Sequence, residues 1–214
     1  MKAFIFDMDG VLLDSEPLHF ASDMKTMRHF GIEITREELE EFVGMVDREM
    51  LRTLKQRYNA PHSVAEMMEY QRNAKVASLM ASDIGPIDGI RELLAELEAH
   101  QIRLAVASSS PRRLIDASLS KLAITPYFEI TLSGEEVAQG KPAPDIYLEV
   151  ARQLGVTPGE CVVLEDSGAG VRAAKSANMK CIGFLNPSSG NQDLSGADLV
   201  VRSIREISIK DLLA

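Results

Sequence analysis

Four short stretches of this 214-residue chain carry side chains that could do chemistry together. Asp7-Met8-Asp9-Gly10 sets two carboxylates two residues apart, and Ser108-Ser109-Ser110 offers hydroxyls. Gly140-Lys141-Pro142-Ala143-Pro144-Asp145 supplies an ammonium group, and Glu165-Asp166-Ser167-Gly168 a second acidic pair. Clustered carboxylates repel one another, so a cation is expected between them. Oxygen-only ligands with room for water suit Mg²⁺. A carboxylate can attack phosphorus and form an aspartyl-phosphate. A second one nearby can protonate the leaving oxygen and then activate water. Lysine, a serine hydroxyl and backbone N–H groups can hold phosphoryl oxygens as charge spreads over them. No piece is specific alone. Asp-x-Asp is common in solvated loops, and serines before Pro111 or an acidic pair before Gly168 suit helix caps. Their joint order and strand context carry the reading.

The elements that must position these groups are legible in the apolar pattern. Ala3-Phe4-Ile5-Phe6 is a short apolar run with aromatic and β-branched members, which predicts a buried strand. Similar runs occur at Arg103-Leu104-Ala105-Val106-Ala107, Cys161-Val162-Val163-Leu164 and Cys181-Ile182-Gly183-Phe184. Weaker ones occur at Glu129-Ile130-Thr131-Leu132 and Asp198-Leu199-Val200-Val201. Between them lie helical periods: Ile90, Leu93, Leu94 and Leu97; Leu114, Leu119 and Leu122; Ile146, Val150 and Leu154. This alternation predicts an α/β fold, a Rossmann-like parallel sheet with helices on both faces. Ligands of such sheets sit beyond the carboxyl ends of the strands, where the Asp7, Ser108 and Glu165 stretches fall, with the Lys141 stretch between the last two, so all four are expected on one rim.

Residues 15–83 differ. They hold no convincing strand, and Met24, Met27, Phe30, Leu39, Phe42, Val43, Leu51, Leu54, Met67 and Met68 suit consecutive helices. The expectation is a core domain of residues 1–14 and 84–214, with residues 15–83 inserted as a small all-helical cap. Composition is ordinary for a globular protein, with 45% hydrophobic and 26% charged residues. A formal charge of −9 with no long basic run argues against nucleic acid as partner. No apolar stretch could span a bilayer, and the first one stops at Asp7, too early for a signal peptide. The two cysteines are expected to be reduced core residues, and a cytoplasmic setting is expected. Oligomeric state is open, with a monomer as the working expectation.

At this point the residues resemble the haloacid dehalogenase superfamily over essentially the whole chain. Phe6-Asp7-Met8-Asp9-Gly10-Val11 resembles its first motif, hhhDxDG. Ser108 resembles the second-motif hydroxyl, Lys141 the third-motif lysine and Glu165-Asp166 the fourth-motif acidic pair. Asp14-Ser15-Glu16-Pro17-Leu18-His19 and the stretch from Gly140 to Asp145 look like the branch of β-phosphoglucomutase and sugar-phosphate phosphatases. The resemblance implies Asp7 as nucleophile and metal ligand. Asp9 would be the general acid/base, its backbone carbonyl also binding Mg²⁺. Asp166 would be a further ligand, supported by Glu165. Ser108, the Ser109 backbone and Lys141 would hold the phosphoryl group. Dehalogenases of the superfamily lack the second Asp, so dehalogenation is set aside.

The same resemblance implies substrate contacts in the cap, at His19, at Arg48 after Gly44-Met45-Val46-Asp47, and at Arg72. Each of the two arginines also fits a solvated helix surface. Pro111 and Arg112 stand where the mutase has Lys-Asn, which favours a phosphatase of a small phosphorylated metabolite over a mutase. Two other classes stay in view. A phospho-accepting receiver domain uses similar groups, but its acids are arranged otherwise and the helical insertion is unexpected there. A silent sugar-phosphate binder would not need the full acidic set.

Overall fold

The computed structural model describes residues 1–42 and 47–213. The chain divides into two compact units, Met1–Asp14 with Ile84–Ala214, and Ser15–Asp83.

The first unit is built on a six-stranded sheet in which every pair is parallel. Its strands are β1 (Ala3–Phe6), β2 (Arg103–Ser108), β3 (Ile130–Ser133), β4 (Cys161–Glu165), β5 (Lys180–Phe184) and β6 (Leu199–Val201). Their order in space is β3-β2-β1-β4-β5-β6. β1 is fully buried, as a strand flanked on both edges and covered on both faces must be. Ala3 and Ile5 face a cluster that includes Ile146, Tyr147, Val150 and Leu154 of α7 (Asp145–Leu154) and Val171 and Ala174 of α8 (Gly168–Ser176). Period-2 alternation sends Phe4 and Phe6 to the other face, where Phe6 meets Phe128 edge-on at 5.8 Å between centroids. α5 (Ile90–Ala99) and α6 (Arg112–Lys121) bury the leucines that the helical period picked out. The short α9 (Ile209–Leu213) ends the described chain. The two weaker strand candidates are β3 and β6. Each is an edge strand with a less buried face, which is why its apolar signal is thinner.

The second unit is helical: α1 (Glu16–His29), α2 (Arg36–Glu40), α3 (Asp47–Arg57) and α4 (Val64–Ala81). Met27, Leu39, Phe42, Met50, Leu51, Leu54 and Met67 form its own core. Methionine here fills irregular gaps between helices. α2 and α4 both begin on a capping box, Thr35 with Glu38 and Ser63 with Glu66, which satisfies backbone N–H groups the first turn leaves open. Inside this unit Gln71 donates to Asp23 at 2.7 Å, and Lys75 grips Asp47 through both carboxylate oxygens at 3.0 and 2.8 Å. Among the described residues no helix is long and apolar enough to cross a membrane.

Leu54 is fully buried in the helical core. Leu54→Ala should lower stability by about 3 kcal/mol, the transfer loss plus the cavity left behind, measured by urea unfolding followed by circular dichroism.

Candidate active site

The parallel register puts the chemistry on one rim. Phe6 lies level with Val106 of β2 and Leu164 of β4, so Asp7, Ser108 and Glu165 emerge together from the carboxyl ends of neighbouring strands. Strand order reverses around β1, so the crevice opens beside Asp7.

Lys141 is the hub. Its Nζ donates to Asp7 Oδ1 at 2.6 Å, to Glu165 Oε1 at 2.7 Å and to the Ala107 carbonyl at 2.9 Å. It also lies 5.0 Å from the centre of the Tyr147 ring. Glu165 is fully buried and held on both oxygens. Tyr147 OH donates to Oε1 at 2.8 Å, and the Ser167 amide and hydroxyl donate to Oε2 at 3.1 and 2.9 Å. Ser167 also caps α8 by accepting from Gly170 N at 3.0 Å. Gly170 is obligatory for space, because a Cβ there would stand 1.7 Å from Glu165 Oε1.

Asp9 is held from β2. Its Oδ2 accepts from Ser110 Oγ at 2.7 Å and from Ser108 Oγ at 3.4 Å. Ser108 Oγ in turn accepts from the Ser110 amide at 3.0 Å, and Ser133 Oγ donates to the Ser110 carbonyl at 2.7 Å. The serine run therefore does not cap α6, whose N-cap is Pro111 without a side-chain bond. Ser109 follows β2 with its side chain exposed.

Asp7, Glu165 and Asp166 each offer an oxygen, and these lie within 4.8 Å of one another. Burial pushes the Asp7 carboxyl well above its usual range against the pull of Lys141, and the charges of Glu165, Asp166 and Asp9 add to it. Burial, followed by the Glu165 charge, pushes Asp166 up to about 7. Burial would also raise Glu165, but the Lys141 charge and hydrogen bond hold it below its usual value. One ammonium thus satisfies one acid fully and leaves two short of positive charge. The donor set is oxygen only and fits a hard divalent cation, which Asp7, Asp166 and the Glu165 side of the cluster would hold.

The structure brings together Asp7, Lys141, Glu165 and Asp166, and ties Asp9 to Ser108. His19, Arg48 and Arg72 are described within the helical unit. His19 is a half-buried residue of α1, Arg48 is exposed in α3, and Arg72 is half-buried in α4. Val43, Gly44, Met45 and Val46, assigned from sequence to the helical insertion and its specificity segment, lie outside the described residues. Residues with no site role assigned from sequence also touch the site. They are Ser110 on Asp9, Tyr147 on Glu165, Ser189 on Asp166, and Asn186, whose side chain donates to the Gly10 carbonyl at 2.9 Å. Ser110 was in view as the third serine. The others carried no signal beyond a polar atom in an apolar or loop setting.

Two outcomes follow from this geometry. Gly170→Ala should displace the Glu165 carboxyl and cost about 1–3 kcal/mol or more, read as a lower melting temperature. The second concerns pH. Asp166 keeps its proton more tightly folded than unfolded, with a pKa of about 7 against 3.8. Such a group contributes stability below its unfolded pKa, and that contribution is lost as pH rises through the folded value. Lys141 and Glu165 shift in the directions that keep both ionised throughout. Metal-free protein should therefore melt at falling temperature between about pH 4 and pH 7, and saturating Mg²⁺ should flatten that slope. A melting temperature that rises across this window without metal would contradict the charge arrangement.

Known proteins carry the same organisation. A profile of the haloacid dehalogenase-like hydrolases matches residues 4–184. A phosphorylated carbohydrates phosphatase of Thermotoga maritima is 36% identical over 184 residues, covering 85% of this chain and 84% of that protein. A β-phosphoglucomutase of Bacillus subtilis is 34% identical, covering 98% of this chain and 93% of that protein. The crystal structure of CbbY from Rhodobacter sphaeroides in complex with phosphate superposes with a TM-score of 0.86 at 30% identity, over 96% of each chain. The sheet order, the acidic rim and these likenesses agree, and the chain belongs to the haloacid dehalogenase-like hydrolase family, in the branch that holds sugar-phosphate phosphatases and phosphomutases.

Proposed function

We propose that this protein is a Mg²⁺-dependent phosphatase of a small phosphate monoester, a sugar phosphate in class, working through an aspartyl-phosphate on Asp7. The observation that carries the proposal is the pairing of Asp7 with Lys141 at 2.6 Å inside a three-carboxylate cluster, with Asp9 two residues away. Lys141 takes up the charge of Asp7 through Oδ1. Asp7 attacks phosphorus, the bond to the sugar oxygen breaks, and Asp9 gives its proton to that oxygen. Asp9, now a carboxylate, takes a proton from water, which attacks the same phosphorus and frees inorganic phosphate and Asp7. Lys141, the Ser108 hydroxyl and the Ser109 N–H hold the phosphoryl oxygens. Asp7, Asp166 and the Asp9 carbonyl, with Glu165 in support, would hold Mg²⁺, which would supply positive charge to those oxygens and to the carboxylates. His19, Arg48 and Arg72 would serve substrate selection, His19 and Arg72 as half-buried residues and Arg48 as an exposed one. The two buried thiols, pushed up by burial to about 11 at Cys161 and about 12 at Cys181, are inert groups with no part in the reaction.

The likeness to a β-phosphoglucomutase keeps a phosphosugar mutase as the second reading. The placement of Arg112 favours the phosphatase. Its guanidinium is engaged by Glu136, the Thr131 hydroxyl and the Thr131 carbonyl, so it does not stand free as a second phosphate ligand. The receiver reading loses support from likeness to enzymes along the whole chain.

Phosphate release from a panel of sugar phosphates and nucleoside monophosphates should require Mg²⁺, vanish with EDTA and fall to background in Asp7→Asn, whose amide is a poor nucleophile. Unchanged turnover in Asp7→Asn would sink the assignment. β-Glucose 1-phosphate given with a bisphosphate activator should yield phosphate. Glucose 6-phosphate formed with little phosphate release would establish the mutase instead.

A further inference from the structure

The loop between β5 and β6 has no part in the proposed reaction, yet it is bonded to both acidic strand exits. Asn186, itself buried, donates through Nδ2 to the Gly10 carbonyl at 2.9 Å, and its Oδ1 accepts from the Ser188 amide at 2.9 Å. Ser188 Oγ donates to Asp14 Oδ2 at 2.7 Å. Ser189 Oγ donates to Asp166 Oδ2 in a close contact. Gln192 accepts from the Gly168 amide at 3.2 Å and donates to the Ser189 carbonyl at 3.0 Å. One loop thus fastens the turn after β1, through Gly10 and Asp14, to the turn after β4, through Asp166 and Gly168.

The packing leaves little play. Gly10 has φ +75, and a Cβ there would lie 1.9 Å from Asp166 Oδ2 and 2.8 Å from Ser189 Oγ. Backbone, carboxyl and hydroxyl therefore fill one small space. The terminal torsion of an aspartate is broad and two-fold, so an unheld carboxyl presents either oxygen at many angles. A hydroxyl fixed on Oδ2 removes that freedom and leaves the second oxygen for a cation.

We propose that Ser189 is a positioning residue of the metal site. Its hydroxyl sets the rotation of the Asp166 carboxyl, and Asn186 and Gln192 hold the loop that carries it. The inference rests on the metal-site reading of the proposed function and adds to it a residue outside the four stretches that the sequence singled out. Partners that orient a ligand tune affinity without touching the ion.

The test is Mn²⁺ binding to the full-length protein, read as free ion by electron paramagnetic resonance, with Mg²⁺ measured by competition and melting temperature alongside. Ser189→Ala should weaken Mn²⁺ binding about 10-fold with a melting temperature near wild type. Ser189→Thr, which keeps the hydroxyl, should restore most of the affinity. Asp166→Asn is the reference that should abolish tight binding. Wild-type affinity in Ser189→Ala together with lost binding in Asp166→Asn would overturn the role of Ser189 and leave the metal site standing. Equal loss in Ser189→Ala and Ser189→Thr would also overturn it, because the hydroxyl would then not be the active group. Wild-type affinity in Asp166→Asn would overturn the metal-site reading itself.

Discussion

The buried ammonium of Lys141 is the interaction on which the acidic rim depends. Its side chain is 5% exposed and lies between Asp7 and Glu165, themselves 11% and 0% exposed. Taking such charges out of water costs several kcal/mol per ion, which only close, well-directed pairing offsets. Lys141 meets that condition with three acceptors, two carboxylates and the Ala107 carbonyl. It cannot neutralise the whole cluster. Three carboxylates, Asp7, Glu165 and Asp166, face one ammonium, which leaves two negative charges when all are ionised. That residue of charge equals the charge of one divalent cation. The raised pKa values of Asp7 and Asp166 express the same shortage as proton uptake.

Such a cluster needs a scaffold that delivers acids from distant parts of the chain to one place. A parallel sheet does this, because all its strands end on one rim. Asp7 and Glu165 are separated by more than half the sequence, yet the pairing of β1 with β4 sets them side by side. Lys141 reaches the rim from the stretch just before α7, and the same helix contributes the Tyr147 hydroxyl to Glu165. Glycine appears where the groups crowd most: Gly10 leaves room for Asp166, and Gly170 leaves room for Glu165.

The sheet was legible because buried parallel strands are short apolar runs, and the acidic motifs were legible because they end those runs. Even the edge strands β3 and β6 left a thinner version of the same signal. What stayed hidden was held in side-chain direction. Tyr147 falls on the buried face of α7, where its ring counts as core and its hydroxyl leaves no trace in the period. Ser110 looked like part of a helix cap, whereas its Oγ turns to Asp9 across 101 positions of sequence. Arg112 stood out only as a departure from the mutase's Lys-Asn pair, and only the fold shows Glu136 and Thr131 engaging it. Asn186 and Ser189 sit in a loop without hydrophobic period, and Asn186 finds its partner 176 positions away. No local pattern encodes a contact of that range.

The contacts made by Tyr147, Ser110 and Ser189 share one property: they fix the direction of acids that the motifs had already identified. Tyr147 and Ser167 hold Glu165, Ser110 holds Asp9, and Ser189 holds Asp166. A site whose strength comes from electrostatics in a water-poor setting depends steeply on distance and angle. Residue types at the strand ends therefore define what the site can do, and neutral donors from other elements define how well each carboxylate is aimed. Changes among the hydroxyl donors can then alter how the acids are presented without any change in the motifs.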